Sequence, residues 1–231
     1  MIFLIKQQAV LLAENIIRRY DGSIMKTPVL FRACGPFVLA SASPRRRDFL
    51  TNLGIECNFI APPEHAEPLP EPGEKPADFA ARAARAKAEA VYGALGGSVA
   101  VLGADTAVYH DDVILGKPHD AAEALAFLED IAGRSHFVRT ACHLRFADSA
   151  GEIGIDFFGE ARVTMGSWPR EALQAYAASG EGLDKAGGYA VQGLGSFLVS
   201  SVEGSWSSVI GLPVAETVKV LLQNGIIEIA S

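Results

Sequence analysis

From Phe37 onward the chain alternates short apolar runs with segments of helical period, and no other feature constrains its fold as strongly. Phe37-Val38-Leu39-Ala40 is an unbroken apolar run of strand length. Ser43-Pro44 then supplies a capping residue and a first-turn proline, Phe49, Leu50 and Leu53 form one apolar face, and Gly54 closes the helix. Residues 55–61 read as a strand, 62–76 as a loop rich in Pro and Glu, and 78–95 as an Ala-rich helix. Val99-Ala100-Val101-Leu102 reads as a buried strand that ends at Gly103-Ala104-Asp105-Thr106. Val108-Tyr109 and Val113-Ile114-Leu115 flank a polar turn and predict a hairpin. Asp120 with Glu123 opens a helix that Gly133 ends. Two long strands follow, over 137–146 and 153–165, then a helix over 169–179, a glycine-rich stretch over 180–195, a strand over 197–202 and a helix from Pro213 to Asn224. The predicted class is α/β, a mixed sheet with flanking helices.

Composition removes several function classes. With 231 residues, 49% of them hydrophobic, the chain can bury a core without disulfide or metal staples and is not disordered. A net charge of −7 argues against a general nucleic-acid binder. No apolar run approaches the ~20 residues of a membrane span. Cys34, Cys57 and Cys142 are far apart with no C-x-x-C, which predicts a reduced, cytoplasmic setting and no thiolate zinc site. His65, His110, His119, His136 and His143 show no H-E-x-x-H spacing and read as surface or strand residues. Residues 1–35 hold five basic and two acidic side chains, a net +3 against −10 for the rest. They read as an appendage to a domain over 36–231, with Met25 as an alternative start, and they make a poor signal peptide.

Four features carry candidate chemistry. Arg45-Arg46-Arg47 puts three cations in the first turn of a helix, where the backbone already carries partial positive charge. An anion held by that turn, by Ser41 and Ser43 and by the arginine forks would explain them, while a solvated basic turn is the plain alternative. Asp105, at a strand end, suits a general base or a metal ligand, although an aspartate after glycine is more commonly a turn former. Lys117 in Gly116-Lys117-Pro118 resembles a P-loop tail without its Ser/Thr, and with Lys87 it is either a phosphate ligand or a solvated lysine. Gln192 stands alone among glycines and apolar residues, and its carboxamide can donate and accept at once, as a base edge requires.

Read in order, Ser-x-Ser-Pro-Arg-Arg, Gly-Ala-Asp-Thr, Gly-Lys-Pro, Asp-Lys-Ala-Gly-Gly-Tyr-Ala-Val-Gln-Gly and Val-Ile-Gly-Leu-Pro resemble the Maf family of nucleoside triphosphate pyrophosphatases, over about residues 37–225. The resemblance implies an elongated, two-lobed fold with a deep central cleft. It also implies cleavage of a nucleoside triphosphate to monophosphate and pyrophosphate with Mg²⁺ or Mn²⁺. By it, Asp105 matches the proton acceptor, and Ser41, Arg45, Lys87 and Lys117 match the phosphate-handling residues. Glu67 matches an acidic residue near the metal, shared with Asp105, and Glu64 is the alternative. Arg46, Thr106 and Gln192 match the positions that separate family branches and are those of the dTTP/UTP branch, not of the branch acting on methylated GTP. The implied partner is the nucleotide, with no nucleic acid or membrane, and a homodimer stays open. A nucleotide-sensing module that affects cell division without turnover is the alternative of another class, and an intact Asp105 disfavours it.

Overall fold

The computed structural model describes residues 29–97 and 99–230, so the appendage up to Pro28, with Met25, lies outside the described residues. The elements are β1 (Phe31–Ala33), β2 (Phe37–Ala40), α1 (Pro44–Asn52), β3 (Asn58–Ile60), α2 (Pro76–Ala94), β4 (Ala100–His110), β5 (Val113–Leu115), α3 (Ala121–Ile131), β6 (Ser135–Asp148), β7 (Gly151–Met165), α4 (Arg170–Ala178), β8 (Val199–Gly204), α5 (Trp206–Ile210), α6 (Val214–Gln223) and β9 (Ile227–Ile229). Seven strands form one sheet in the order β3-β2-β4-β6-β7-β8, with β5 also paired to β4. β2 runs parallel to β3 and β4, and the other pairs are antiparallel. The sheet is therefore mixed, with helices flanking it. β1 pairs with β9 in a separate two-stranded sheet, which ties Phe31–Ala33 to the last strand.

Two apolar cores lie toward opposite ends of the long strands. In the first, Leu39, Leu102, Cys142 and Leu144 pack with Leu50 of α1 and Leu221 of α6. On the other face of the sheet, Val38, Ala40 and Val101 pack against Ala88, Val91 and Tyr92 of α2, while Ala80 and Ala84 meet Ala107 and Ala141. Alanine on both sides lets helix and sheet approach closely. In the second core, Val108, Val138 and Val163 pack with Leu128 and Ile131 of α3 and Leu173 and Tyr176 of α4. β6 and β7, 14 and 15 residues long, span both cores. At 3.2–3.4 Å per residue the longer reaches about 50 Å, which gives the two-lobed, elongated body.

Local signals mark several boundaries correctly. The hairpin turn at Asp111-Asp112 has φ of 48° and 61°, the left-handed values of a two-residue hairpin loop. Asp120 accepts the N–H groups of Ala122 and Glu123, and Glu123 accepts that of His119. Two expectations change. Ser43 occupies the cap of α1, but its hydroxyl makes no capping bond. Asp105 does not follow a strand end: it sits inside the 11-residue β4, because pairing with β6 carries that strand on to His110.

His136 is fully buried in the second core, with Nε2 2.7 Å from the Tyr189 hydroxyl and no partner at Nδ1 among the described residues. Burial lowers its pKa from 6.5 to about 4. The unfolded chain therefore takes up this proton before the folded one. The stabilisation is complete above about pH 6.5 and is lost as pH falls toward about 4. The loss is about 3 kcal/mol, at ~1.4 kcal/mol per pH unit. Urea unfolding at pH 7.5, 5.5 and 4 should show that slope in the wild type and a flatter one in His136→Gln. Equal slopes would remove His136 as the cause.

Candidate active site

The site forms where one edge of β4 lacks a strand. β2 pairs with β4 only as far as Ala40 opposite Gly103, and β5 pairs with β4 only from Val108, opposite Leu115, onward. Ala104 to Ala107 lie in the gap. Alternation then sends Asp105 toward α2 and Thr106 toward the opposite face, and both reach one cavity of about 530 Å³. Its lining includes every residue singled out above from the family resemblance: Ser41, Arg45, Arg46, Glu67, Lys87, Asp105, Thr106, Lys117 and Gln192. Glu64, in a single turn of 3-10 helix over Glu64–Ala66, is not part of the lining.

Asp105 is held by Lys87, which is only 8% exposed and lies on α2. Its ammonium donates to Asp105 Oδ1 at 2.7 Å and lies 3.3 Å from Glu67 Oε1. One cation thus bridges two carboxylates. The approach depends on Gly103, where a Cβ would lie 2.4 Å from the Ala84 carbonyl and 2.8 Å from the Ala88 nitrogen.

Arg46 forms the floor. Nε donates to the Gly211 carbonyl at 2.6 Å, one terminal nitrogen to Ser41 Oγ at 3.3 Å and the other to Thr106 Oγ1 at 3.0 Å. Burial lowers its pKa, with Asp105 opposing that shift. Of its five N–H groups, three are spent and two remain for a ligand. Thr140 donates its hydroxyl proton to the Ser208 carbonyl at 2.7 Å, so the 2.8 Å contact between Thr106 and Thr140 runs from Thr106 to Thr140. Thr106 has no proton left to give a ligand. It orients Arg46 instead.

The anion side is built from α1. Ser41 Oγ accepts the Ser43 N–H, and no side chain caps the first turn, which also contains no acidic residue. Among the described residues Arg45 has a single weak ion pair, 3.7 Å to Asp184. Lys117 has no ion pair among the described residues, and its loop is tied to the glycine stretch by Gly187 N–H donating to the Gly116 carbonyl at 3.0 Å. Gly187 is positive in φ at 76°, and a Cβ there would lie 2.8 Å from Val108. That close approach brings the loop carrying Gln192 against β4, where it lines the cavity. The lining holds five basic residues (Arg45, Arg46, Lys87, Lys117, Lys185) and four acidic ones (Glu67, Asp105, Glu181, Asp184), a net +1 in a chain of −7.

The family model for Maf-like protein matches residues 36–224. The chain belongs to the Maf family. Curated Maf relatives named dTTP/UTP pyrophosphatase include one from Nitratidesulfovibrio vulgaris, 49% identical over 85% of this chain and 91% of its own length. One from Oleidesulfovibrio alaskensis is 42% identical over 85% and 89%, and one from Lawsonia intracellularis is 36% identical over 84% and 86%. In this Maf chain, sequence reasoning assigned no role to Glu181, Asp184, Lys185 and Tyr189 of the cavity wall. Asp184, Lys185 and Tyr189 belong to the Asp-Lys-Ala-Gly-Gly-Tyr-Ala-Val-Gln-Gly motif, which is the local signal that could have marked them, whereas Glu181 lies outside every motif. Among the described residues no cluster of three or more His, Cys, Asp or Glu forms a metal cage, and no helix is long and apolar enough to cross a membrane.

Proposed function

We propose that this Maf protein hydrolyses dTTP and UTP to the nucleoside monophosphate and pyrophosphate in the cytoplasm. The observation that carries the reading is the cavity itself, which joins a lysine-bridged carboxylate, donor capacity left at Arg45, Arg46 and Lys117, and the Gln192 carboxamide, which has no side-chain hydrogen bond among the described residues. The names of the curated relatives support it.

In this reading Asp105 accepts a proton from a water that attacks the α-phosphorus. The bond between that phosphorus and the α–β bridging oxygen breaks, and the oxygen leaves with pyrophosphate. Lys87 holds Asp105 in place. The first turn of α1, Arg45 and Lys117 bind the phosphates, and their charge is complementary to that gathering on the leaving group. Arg46 and Gln192 read the base. A lining of net +1 leaves much of the charge of a triphosphate, about −4, uncompensated. Glu67 and Asp105 are hard oxygen donors and fit Mg²⁺ or Mn²⁺, which commonly takes one or two carboxylates together with substrate phosphates rather than a protein cage. Such a cation would supply the remaining charge neutralisation.

Uracil and thymine present acceptor, donor, acceptor along the pairing edge. Arg46 only donates, so it favours a ring carbonyl, and Gln192 can accept from N3–H. Cytosine offers an amino group and a bare N3 there, which leaves one partner unpaired at about 1–3 kcal/mol. Pyrophosphate release from a nucleotide panel with Mg²⁺ or Mn²⁺ should give dTTP and UTP the highest kcat/KM, CTP about tenfold or more below, and purines lowest. A kcat/KM for GTP or CTP equal to that for UTP would defeat the assignment, and binding without pyrophosphate release would favour the sensing module.

A further inference from the structure

Two carboxylates, Glu181 and Asp184, line a cavity suited to a polyanion, and the proposed chemistry uses neither. Asp184 faces Arg45 and Lys185. Glu181 is committed to backbone. One of its oxygens accepts the Leu194 N–H at 2.9 Å and the other the Gly195 N–H at 2.8 Å. The Tyr176 hydroxyl accepts the Ala190 N–H at 3.0 Å, on the other side of the same loop. Ala190 on one side and Leu194 and Gly195 on the other bracket Gln192.

The glycines fit this arrangement. A Cβ at Gly193, whose φ is +74°, would lie 2.3 Å from Glu181 Oε1. One at Gly195 would lie 2.4 Å from the Ala190 carbonyl and 2.8 Å from the Tyr176 hydroxyl. The loop is therefore folded around these two side chains. Burial pushes the Glu181 carboxyl up, but the Leu194 and Gly195 N–H groups and Tyr176 outweigh it and hold it below the usual carboxylate range. A negative charge beside phosphates is thus absorbed by the loop it orders.

We propose that Glu181, with Tyr176 holding the loop at Ala190, is the positioning residue that fixes Gln192 in the cavity and thereby sets pyrimidine selectivity. The selectivity part rests on the base-reading role given to Gln192 above. Glu181 touches no reacting atom, so its loss should act on binding and not on the chemical step.

The test variant is Glu181→Gln. A carboxamide keeps the shape but has one acceptor oxygen, and its NH₂ would face the second backbone N–H donor to donor. Losing one charged hydrogen bond of this kind should raise KM for UTP about tenfold, with kcat held within about threefold. The preference for UTP over CTP should fall to that of Gln192→Ala, and the double variant should be no worse than Gln192→Ala alone. Amide hydrogen exchange at Leu194 and Gly195 should accelerate about tenfold or more with the melting temperature little changed. Tyr176→Phe should move the same readouts less far. Unchanged exchange at Leu194 and Gly195 would overturn the positioning role, as would losses that add in the double variant or a fall in kcat at constant KM. If Gln192→Ala keeps the full preference for UTP, the base-reading role fails and the selectivity part fails with it, while exchange still decides whether Glu181 orders the loop.

Discussion

Asp105→Asn is expected to lower kcat for UTP by about 10²–10⁴-fold while KM changes little, because general-base catalysis typically supplies that factor. Asparagine keeps the shape, and its carbonyl oxygen can still accept from Lys87, which lies 2.7 Å from the native carboxylate. It cannot take up the proton of the attacking water. The melting temperature should hold, since the lysine keeps one partner there and another in Glu67 at 3.3 Å. Steady-state pyrophosphate release and thermal unfolding on the same preparation check both halves. Raising the Mg²⁺ concentration should not restore the rate. Restoration would make Asp105 chiefly a metal ligand, and near wild-type turnover would remove it from the mechanism.

Gly103→Val is expected to damage fold and site together. A Cβ at this position meets the Ala84 carbonyl at 2.4 Å and the Ala88 nitrogen and Cβ at 2.8 and 2.9 Å, so backbone must move. Overpacking of this kind costs about 1–3 kcal/mol, or roughly 2–12 °C in melting temperature for a chain of this size. The movement separates α2 from β4, and with them Lys87 from Asp105. Activity should therefore fall about tenfold or more even at temperatures where the variant is fully folded. Gly93→Ala is the control. It lies on the same helix, a methyl group there would meet nothing within 4 Å, and it should be neutral or slightly stabilising. A Gly103→Val variant with wild-type stability and rate would mean that the contact between α2 and β4 does not set the site.

Most of what the residues reveal before folding is considered is local. Ser43-Pro44, Asp120 and the pair Asp111-Asp112 mark boundaries because caps and tight turns depend on residues a few positions apart. The ordered motifs likewise contain seven of the candidate residues, and the family resemblance they carry adds Glu67 and Lys87, all of which prove to line one cavity. The remainder depended on partners distant in the chain. Arg46 bonds the carbonyl of Gly211, 165 residues away, and Thr106 is oriented by Thr140 and Ser208. Asp105 sits within a strand and not after one because β6 pairs along β4, which no period in β4 itself reveals. The short strand Ile227–Ile229 exists because Phe31–Ala33 lies beside it. His136 resembles any strand histidine until the second core closes over it. Glu181 resembles a solvated turn residue until the loop carrying Gln192 folds back onto its carboxylate. Periodicity and capping are short-range properties of one segment, whereas burial, shared hydrogen bonds and the gap along β4 exist only once separate segments have packed together.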